Sequence, residues 1–138
     1  MTTPNDMNDA IIKEFRDNEG KVGGPFEGAP VLLLTTKGAK TGKARVIPAM
    51  FLQDSDRVLV FASKSGAPTH PDWYHNLVAN PEVTVEVGTE TYAARATVLT
   101  GDERDKKYAQ QAAVFPQFGD YEKKTTRKIP VVALARVR

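Results

Sequence analysis

The sequence TTKGAKTGKARVIP (residues 35–48, here termed the basic segment) places four basic side chains within nine residues and contains no acidic one. Two glycines, Gly38 and Gly42, separate its lysines. Backbone N–H groups of a glycine-containing turn can bind a phosphate or carboxylate, and a forked guanidinium such as that of Arg45 can reinforce this. The glycine and lysine spacing of a P-loop is absent. The pattern therefore predicts either an anion-binding turn or a solvated hairpin loop.

A run of small residues, 62–67 and here termed the small-residue segment, follows a strand-like stretch. Because small side chains leave the backbone accessible, a flat ligand can approach it closely. An aromatic and polar cluster comes next, at Trp73, Tyr74, His75 and Asn76. Its helical spacing also favours packing for some members, because residues three or four apart share a helix face. We expect the cluster to be divided between ligand contact and core packing.

A third stretch, residues 115–127 and here termed the aromatic segment, carries Phe115, Phe118 and Tyr121 among polar residues and a glycine. Aromatic side chains in a mobile stretch can close over the pocket of a planar substrate. The same side chains can equally pack beneath a loop. The sequence leaves both interpretations open.

Composition excludes several other chemistries. The 138 residues include no cysteine, so disulfides, thiolate metal sites and a cysteine nucleophile are absent. The two histidines, His70 and His75, do not have the spacing of a zinc motif, and we predict no metal site. No Ser/His/Asp set with a recognisable local pattern supports a hydrolase.

Charge distribution favours a small anionic ligand over nucleic acid. The formal net charge is only +2, and the bases concentrate in residues 21–48 while residues 1–20 are acidic. A nucleic-acid footprint is usually a broader basic face. The N-terminus lacks a signal pattern and no apolar run is long enough to span a bilayer, so we expect a cytoplasmic protein.

The hydrophobic pattern predicts six strands and a few helices. An amphipathic helix is expected over residues 7–19, with Met7, Ile11, Ile12 and Phe15 at helical spacing, followed by a Gly/Pro-rich loop. Further helices are expected at Pro71–Ala79 and from residue 101 to 115, with the aromatic segment as a loop or broken helix. The predicted strands are PVLLLTT, RVIPAMFLQ, RVLVFAS, VTVEVG, TYAARATVL and IPVVALARVR, of which the second carries Pro48 and must lie at a sheet edge or bulge.

Strand-rich order without βαβ alternation predicts a mainly β (α+β) protein built as a small barrel of about six mostly antiparallel strands with two or three helices. We divide the chain into an N-terminal helix and loop, residues 1–25, and a barrel domain, residues 26–138.

The three stretches, in this order, resemble the deazaflavin (F420)-dependent nitroreductase family of actinobacteria, which includes quinone reductases and nitroimidazole-activating enzymes. The likeness runs from about Phe26 to Arg138, and its most specific part is ASKSGAPTHPDWYHNLVANPEVTVEVG. The resemblance implies an FMN-binding-like split β-barrel, coenzyme F420 as cofactor, and hydride transfer from F420H2 to a quinone, nitroaromatic or other conjugated acceptor.

The resemblance also implies roles for particular residues. The phosphate of the coenzyme would be held by Lys40, Thr41, Gly42 and Arg45. The deazaflavin and its side chain would contact Pro48, Met50, Ala62, Ser63, Lys64, Ser65, Gly66, Ala67, Trp73, Tyr74 and Asn76. Ser63 and Tyr121 would donate hydrogen bonds to an acceptor oxygen that becomes negative as hydride arrives. Phe118 and Tyr121 would contact the acceptor.

Two positions depart from the nitroimidazole-activating relatives. Val46 stands where they often have a second base, and Phe118 stands where they have a tyrosine. Three alternatives remain at this level: an FMN-binding split-barrel oxidoreductase, a non-catalytic F420-binding protein, and a nucleic-acid-binding small barrel, which the charge disfavours. The apolar face of the N-terminal helix can cap the pocket or make a peripheral membrane contact.

Overall fold

The computed structural model of the protein describes residues 4–22 and 30–137, with the side chains of residues 4–8 and of residue 65 excluded. The predicted boundary between residues 25 and 26, and most of the predicted Gly/Pro loop, lie outside the described residues. The helices are α1 (Pro4–Asp17), α2 (Asp72–Ala79), α3 (Gly101–Val114) and α4 (Gln117–Lys124), with a short 3-10 helix at Lys64–Gly66. The strands are β1 (Val31–Lys37), β2 (Ala44–Asp54), β3 (Arg57–Phe61), β4 (Glu82–Val87), β5 (Glu90–Val98) and β6 (Val131–Arg136).

The six strands form a closed antiparallel barrel in the order β1-β2-β3-β6-β5-β4, in which β4 pairs back onto β1. Inward-facing apolar side chains from all six strands fill the barrel. Those of β2 are partly buried, whereas each of the other strands contributes fully buried ones. Leu77 of α2, which is 1% exposed, belongs to the same core cluster. Helix α2 therefore closes part of the barrel's interior.

Some strands are apolar on both faces because helices cover their outer side. In β1, Leu32 and Leu34 face the barrel interior, whereas Val31 and Leu33 pack beneath Phe15 of α1. In β6 and β3 the outer face packs against α3 and α4. Continuous apolar runs such as VLLL are therefore the pattern of strands buried on both faces.

Strand β2 pairs with its two neighbouring strands over successive parts of its length. It pairs with β1 from Ala44 to Met50, but with β3 only from Phe51 to Asp54. Pro48 thus lies where β2 has a single neighbour, opposite Leu33 of β1. A residue without an N–H group is tolerated there because no ladder bond is lost. The prediction that Pro48 needs a sheet edge or a bulge is confirmed, since among the described residues β2 pairs with β1 alone as far as Met50, which leaves a free edge there.

The predicted fold class is confirmed, and the structure differs from the prediction in two details. The barrel has four α-helices rather than two or three, because the aromatic segment forms α4 after a break at Phe115–Pro116. Strand β3 ends at Phe61, so the small-residue segment leaves the sheet. Phe15 of α1 is 1% exposed and packs on Val31 and Leu33 of β1, so this part of the apolar face lies against the barrel. Capping of a pocket by this face stays a prediction.

Candidate functional site

The centre of the basic segment is a compact turn between β1 and β2. The Gly38 N–H donates to the Lys43 carbonyl at 2.8 Å, and the Gly42 N–H donates to the Gly38 carbonyl at 2.9 Å. Gly42 has φ +70°, in the left-handed region that favours glycine. The lysines of the turn are exposed. The turn is therefore a defined structure that projects its basic side chains into solvent.

Helix α2 holds this turn in place through two asparagines. The Asn76 Oδ1 atom accepts the backbone N–H of Ala39 at 3.0 Å, and its Nδ2 atom donates to the Thr36 hydroxyl at 3.3 Å. The Asn80 Nδ2 atom donates to the Lys37 carbonyl at 3.3 Å. The basic segment and the WYHN cluster, about 35 residues apart in sequence, are thus joined in one unit.

A cleft of about 570 Å³ lies between the turn and α2. Lys40 and Arg45 line it and make no ion pair with any described residue, in contrast to Arg16, Arg57 and Arg136, which are paired with carboxylates. Its lining is completed by Thr36, Gly38, Ala39, Thr41, Ile47, Asp72, Trp73, His75 and Asn76, among which Asp72 is the single acid. Exposed cations without internal partners remain available to an anionic ligand.

The small-residue segment runs from the end of β3 through the 3-10 helix. Ser63 is 8% exposed, and its hydroxyl makes no hydrogen bond to another described residue. Lys64 has φ +47°, a conformation that is costly for a residue with a side chain. Such a conformation persists only where the surrounding structure enforces it.

Arg127 supplies much of that constraint. Its guanidinium donates to the carbonyls of Ala62 (Nη1, 3.1 Å), Ser63 (Nη2, 2.8 Å) and Ala67 (Nε, 2.9 Å). The Nη1 atom also lies 2.9 Å from Nδ1 of His70. Because a guanidinium can only donate, Nδ1 of His70 must be the acceptor and the imidazole must be neutral.

The electrostatics around His70 agree with a neutral ring. Burial lowers the pKa of His70 below its ordinary value, and the charges of Arg127 and His75 lower it further. The ring also packs on Tyr74, with centroids 4.7 Å apart. His70 therefore connects the small-residue segment to α2 without carrying charge.

Helix α4 lies against the small-residue segment. A Cβ added to Gly66, which has φ +82°, would lie 2.9 Å from Cβ of Lys124 and 3.1 Å from the carbonyl oxygen of Tyr121. Tyr121 is half-buried, and its hydroxyl makes no hydrogen bond to another described residue. This contact brings Tyr121 to the segment that contains Ser63.

Phe118 occupies a different environment from Tyr121. It is 4% exposed, and its ring makes edge contacts with Phe61, Tyr108 and Tyr121, with centroids 5.2 to 6.3 Å apart. The Tyr108 hydroxyl donates to the Phe118 carbonyl at 2.6 Å, and burial raises the pKa of Tyr108. The ring of Phe118 lies in the core and supports Tyr121, which counts against a contact between Phe118 and the acceptor, and that contact stays a prediction.

The predicted cofactor residues are distributed over two regions. The cleft collects Lys40, Thr41, Arg45, Trp73 and Asn76. The second region contains the small-residue segment, Arg127 and α4. The side chain of Ser65 is outside the described residues.

Four other predicted residues do not line the cleft, namely Gly42 in the basic turn and Pro48, Met50 and Tyr74. Pro48 and Met50 alternate with Arg45 and Ile47 along β2, and therefore project from the opposite face of that strand. Met50 packs with the clusters beneath α1 and α4. Tyr74 lies on another side of α2, in a separate cavity of about 330 Å³ that His70 and Arg104 also line. Any ligand contact by Pro48 or Met50 must be made on that opposite face of β2, where Met50 packs with clusters that include Phe15 of α1 and Phe118 of α4.

The sequence did not single out Ile47, Asp72 or Arg127 for this site. Ile47 and Asp72 could have been found from their neighbours, since Ile47 follows Arg45 at a spacing of two on a strand and Asp72 begins α2. Arg127 gives no such signal, because it lies in the charged stretch KKTTRK and its partners are about 60 residues away.

The donor set fits a ligand with an anionic tail and a flat ring. Lys40 and Arg45 are cations with no ion-pair partner among the described residues and lie beside the half-buried Trp73, and the free edge of β2 leads from this cleft towards Met50. An antiparallel barrel with a basic cleft at an open strand edge defines the class: a split-barrel protein whose cleft suits an anionic ligand.

Comparisons with known proteins identify the family within that class. Residues 10–136 match the sequence profile of the F420H(2)-dependent quinone reductase family. The chain is 38% identical over 136 residues to an F420H(2)-dependent quinone reductase of Mycobacterium tuberculosis, and the match covers 94% of this chain and 88% of that protein. The protein therefore belongs to the F420H(2)-dependent quinone reductase family.

Solved structures agree. The F420-H2 dependent reductase FDR-A superposes with a TM-score of 0.70 and 39% sequence identity, over 76% of this chain and 93% of that one. An FAD-binding protein from Mesorhizobium loti superposes with a TM-score of 0.57 at 16% identity, over 79% and 80% of the two chains, and shows the shared fold alone. Among the described residues, no helix has the length and apolarity needed to cross a bilayer.

Proposed function

We propose that this protein is an oxidoreductase that uses reduced coenzyme F420 to reduce a quinone, and that the cleft between the basic segment and α2 holds the anionic part of the coenzyme. Lys40 and Arg45 carry the proposal, because they line this cleft and have no described carboxylate partner. Membership of the F420H2-dependent family supports the same assignment.

The binding residues have distinct tasks. Arg45 and Lys40 neutralise the anionic groups, and the guanidinium of Arg45 can make two parallel hydrogen bonds to a phosphate. The Thr41 hydroxyl adds a donor at the same end of the cleft, whereas the N–H groups of Gly38, Ala39 and Gly42 already bond within the protein. Trp73 provides a flat apolar wall. The small-residue segment, including Lys64 and Ala67, offers an accessible backbone along which the ring can lie.

When bound, reduced F420 supplies the hydride. We assign to Ser63 and Tyr121 the task of donating hydrogen bonds to the acceptor oxygen as it becomes negative. Ser63 is nearly buried and Tyr121 is half-buried, and neither hydroxyl is bonded to another described residue. Donors held in a partly dry site without internal partners are available to a substrate oxygen.

Fluorescence titration of the purified protein with F420, and separately with FMN, tests the cofactor assignment. We expect F420 to bind at micromolar or lower concentration and FMN to bind more weakly. Arg45→Ala should weaken F420 binding roughly tenfold to a hundredfold, because one charge-assisted contact is lost. Arg95→Ala is the matched control, since Arg95 is exposed on β5 and has no described partner. Equal affinity in wild type and Arg45→Ala would remove Arg45 from the site.

Oxidation of F420H2 with menadione tests the reaction. Turnover that depends on both compounds would support a reductase, whereas tight F420 binding without turnover would favour the non-catalytic F420-binding alternative. Preference for FMN would retain the barrel and change the cofactor.

Family membership does not fix the second class of acceptor, the location of the protein or its domain division, and these are further proposals. Nitroaromatic compounds are a second class of acceptor to be tested in the same assay, because they too become anionic on receiving hydride. A cytoplasmic protein with a peripheral membrane contact remains a proposal, and the burial of Phe15 against the barrel counts against α1 as the contacting face. We retain 26–138 as the proposed coenzyme-binding domain, with 1–25 as an accessory segment.

A further inference from the structure

Arg127 lies in the linker between α4 and β6, at the last position of the aromatic segment and outside the lining of the cleft. It nevertheless makes more hydrogen bonds to the small-residue segment than any other described side chain. Its three donor nitrogens bond to three carbonyls of that segment, those of Ala62, Ser63 and Ala67, at 2.8 to 3.1 Å. These carbonyls lie before, at the start of and after the 3-10 helix.

Apart from a few backbone hydrogen bonds and the contact of Gly66 with α4, little else holds the small-residue segment in shape. It has left the sheet at Phe61, its 3-10 helix has only three residues, and Lys64 adopts φ +47°. Small side chains contribute little packing. The guanidinium of Arg127 is rigid and planar, and it bonds to carbonyls on both sides of the strained Lys64. It therefore constrains the segment, because one guanidinium fixes the relative positions of these carbonyls.

Burial of the guanidinium is consistent with this role. Arg127 is half-buried, and burial lowers its pKa from the ordinary value, although an arginine remains charged at neutral pH. No carboxylate pairs with it among the described residues; its partners are backbone carbonyls and a neutral imidazole. Because its hydrogen bonds go to backbone carbonyls and not to a carboxylate, the guanidinium of Arg127 is suited to organise that backbone.

We propose that Arg127 is a positioning residue that holds the small-residue segment in the conformation that binds F420. The inference rests on the proposed function in one respect, namely that this segment contacts the coenzyme. It concerns Arg127 itself, which need not touch coenzyme or substrate.

Amide hydrogen exchange tests the positioning role without any coenzyme. The Gly66 N–H bonds to the Ser63 carbonyl, which Arg127 also contacts, and the Ala67 N–H bonds to the Lys64 carbonyl. Arg127→Lys keeps the charge but cannot span three carbonyls, so we expect these two amides to exchange about tenfold faster or more. Unchanged exchange at both amides would overturn the proposal.

Arg104→Lys is the matched control. Arg104 is also a buried arginine that donates to backbone, with two bonds to the Ile129 carbonyl at 2.7 and 3.0 Å, but it does not contact the small-residue segment. We expect its lysine variant to lose stability without changing exchange at Gly66 and Ala67. Faster exchange in both variants would mean a general loss of stability and would also overturn the proposal.

F420 titration of the same variants gives the functional readout. We expect Arg127→Lys to weaken binding about tenfold or more, and Arg127→Ala to be partly rescued by millimolar guanidinium but not by sodium at equal ionic strength. Wild type that fails to bind F420 would refute the proposed function. Wild type that binds, with Arg127→Lys binding equally well, would refute only the role of Arg127.

Discussion

The side chain of Asn76 accepts a hydrogen bond from the backbone N–H of Ala39 at 3.0 Å, across the cleft wall that joins α2 to the basic segment. The same amide donates to Thr36, so both of its polar atoms are used by the protein itself. Asn76 thereby fixes the turn that presents Lys40 and Arg45. This contact gives Asn76 a positioning task in addition to the coenzyme contact that the resemblance implies.

Replacing Asn76 by alanine should loosen the basic turn. We expect the free energy of unfolding to fall by about 1 to 2 kcal/mol, because two hydrogen bonds are lost, and F420 affinity to fall about tenfold. Chemical denaturation and F420 titration measure the two effects. Val78→Ala, an exposed change on the same helix, is the control. Full affinity in Asn76→Ala would mean that the turn holds its shape without α2.

Removing the hydroxyl of Tyr121 should affect turnover more than binding. In Tyr121→Phe we expect kcat to fall roughly tenfold to a hundredfold, since one hydrogen-bond donor to the developing negative charge is lost, while the Kd for F420 stays nearly constant. Steady-state kinetics with menadione and F420 titration separate the two. Tyr92→Phe removes a hydroxyl at the far end of the barrel and should leave both constants unchanged. Wild-type turnover in Tyr121→Phe would leave Tyr121 with a packing role.

Phe118→Ala should act on stability. Its ring is 4% exposed and touches three aromatic rings, so we expect a loss of about 3 to 5 kcal/mol in the free energy of unfolding. Urea denaturation measures this loss. A change below about 1 kcal/mol would contradict the placement of Phe118 in the core.

Substituting Gly66 tests the contact between the small-residue segment and α4. Gly66→Ala introduces both an unfavourable positive φ and a Cβ 2.9 Å from Lys124 Cβ. Gly101→Ala is the control, since Gly101 has φ +60° and an added Cβ there meets nothing within 4 Å. We expect Gly101→Ala to cost about 1 kcal/mol, from the backbone alone, and Gly66→Ala to cost more and to weaken F420 binding. Equal losses of stability would show that α4 moves aside without cost.

Acidification should destabilise the protein through His70. Burial lowers the pKa of His70 in the folded state, and the charges of Arg127 and His75 lower it further. The other groups around the ring or its cavity are Tyr74, Arg104 and Lys128, and none of them adds a negative charge. The unfolded chain therefore binds a proton at His70 that the folded chain does not. The contribution of His70 to stability is complete above about pH 6.5 and is lost as the pH falls below that value.

Urea denaturation between pH 7.5 and 5 measures this dependence. We expect His70→Gln, which cannot titrate, to show a shallower decline than wild type over this range. Parallel declines in the two proteins would assign the effect to other groups. Exchange at Gly66 and Ala67 should also accelerate in wild type as the pH falls, after correction for the intrinsic rate, because a protonated ring cannot accept from Arg127.

The elements of the barrel were predictable because each strand and helix carries its own periodicity. Residues 57–61 and 131–136 read as strands from local apolar runs, and Asn80–Pro81 ends α2 as its sequence indicates. Pro48 even predicted where β2 would lack a neighbour, since proline cannot donate to a ladder. The aromatic segment was harder, because its glycine and mixed polarity resemble a loop until Phe118 and Tyr121 are packed against Phe61 and Gly66.

The sequence by itself determined the antiparallel barrel class, the concentration of positive charge at Lys40–Arg45 and the candidate residues of the small-residue segment, because these depend on residues close together in the chain. Only the tertiary structure decided which of them act together. It placed Asn76 on the basic turn, moved Phe118 into the core, separated Pro48 and Met50 from the cleft, and brought Arg127 to carbonyls about 60 residues away. Such pairings depend on strand order and helix docking, which bring distant residues together and leave no periodic signal in the sequence.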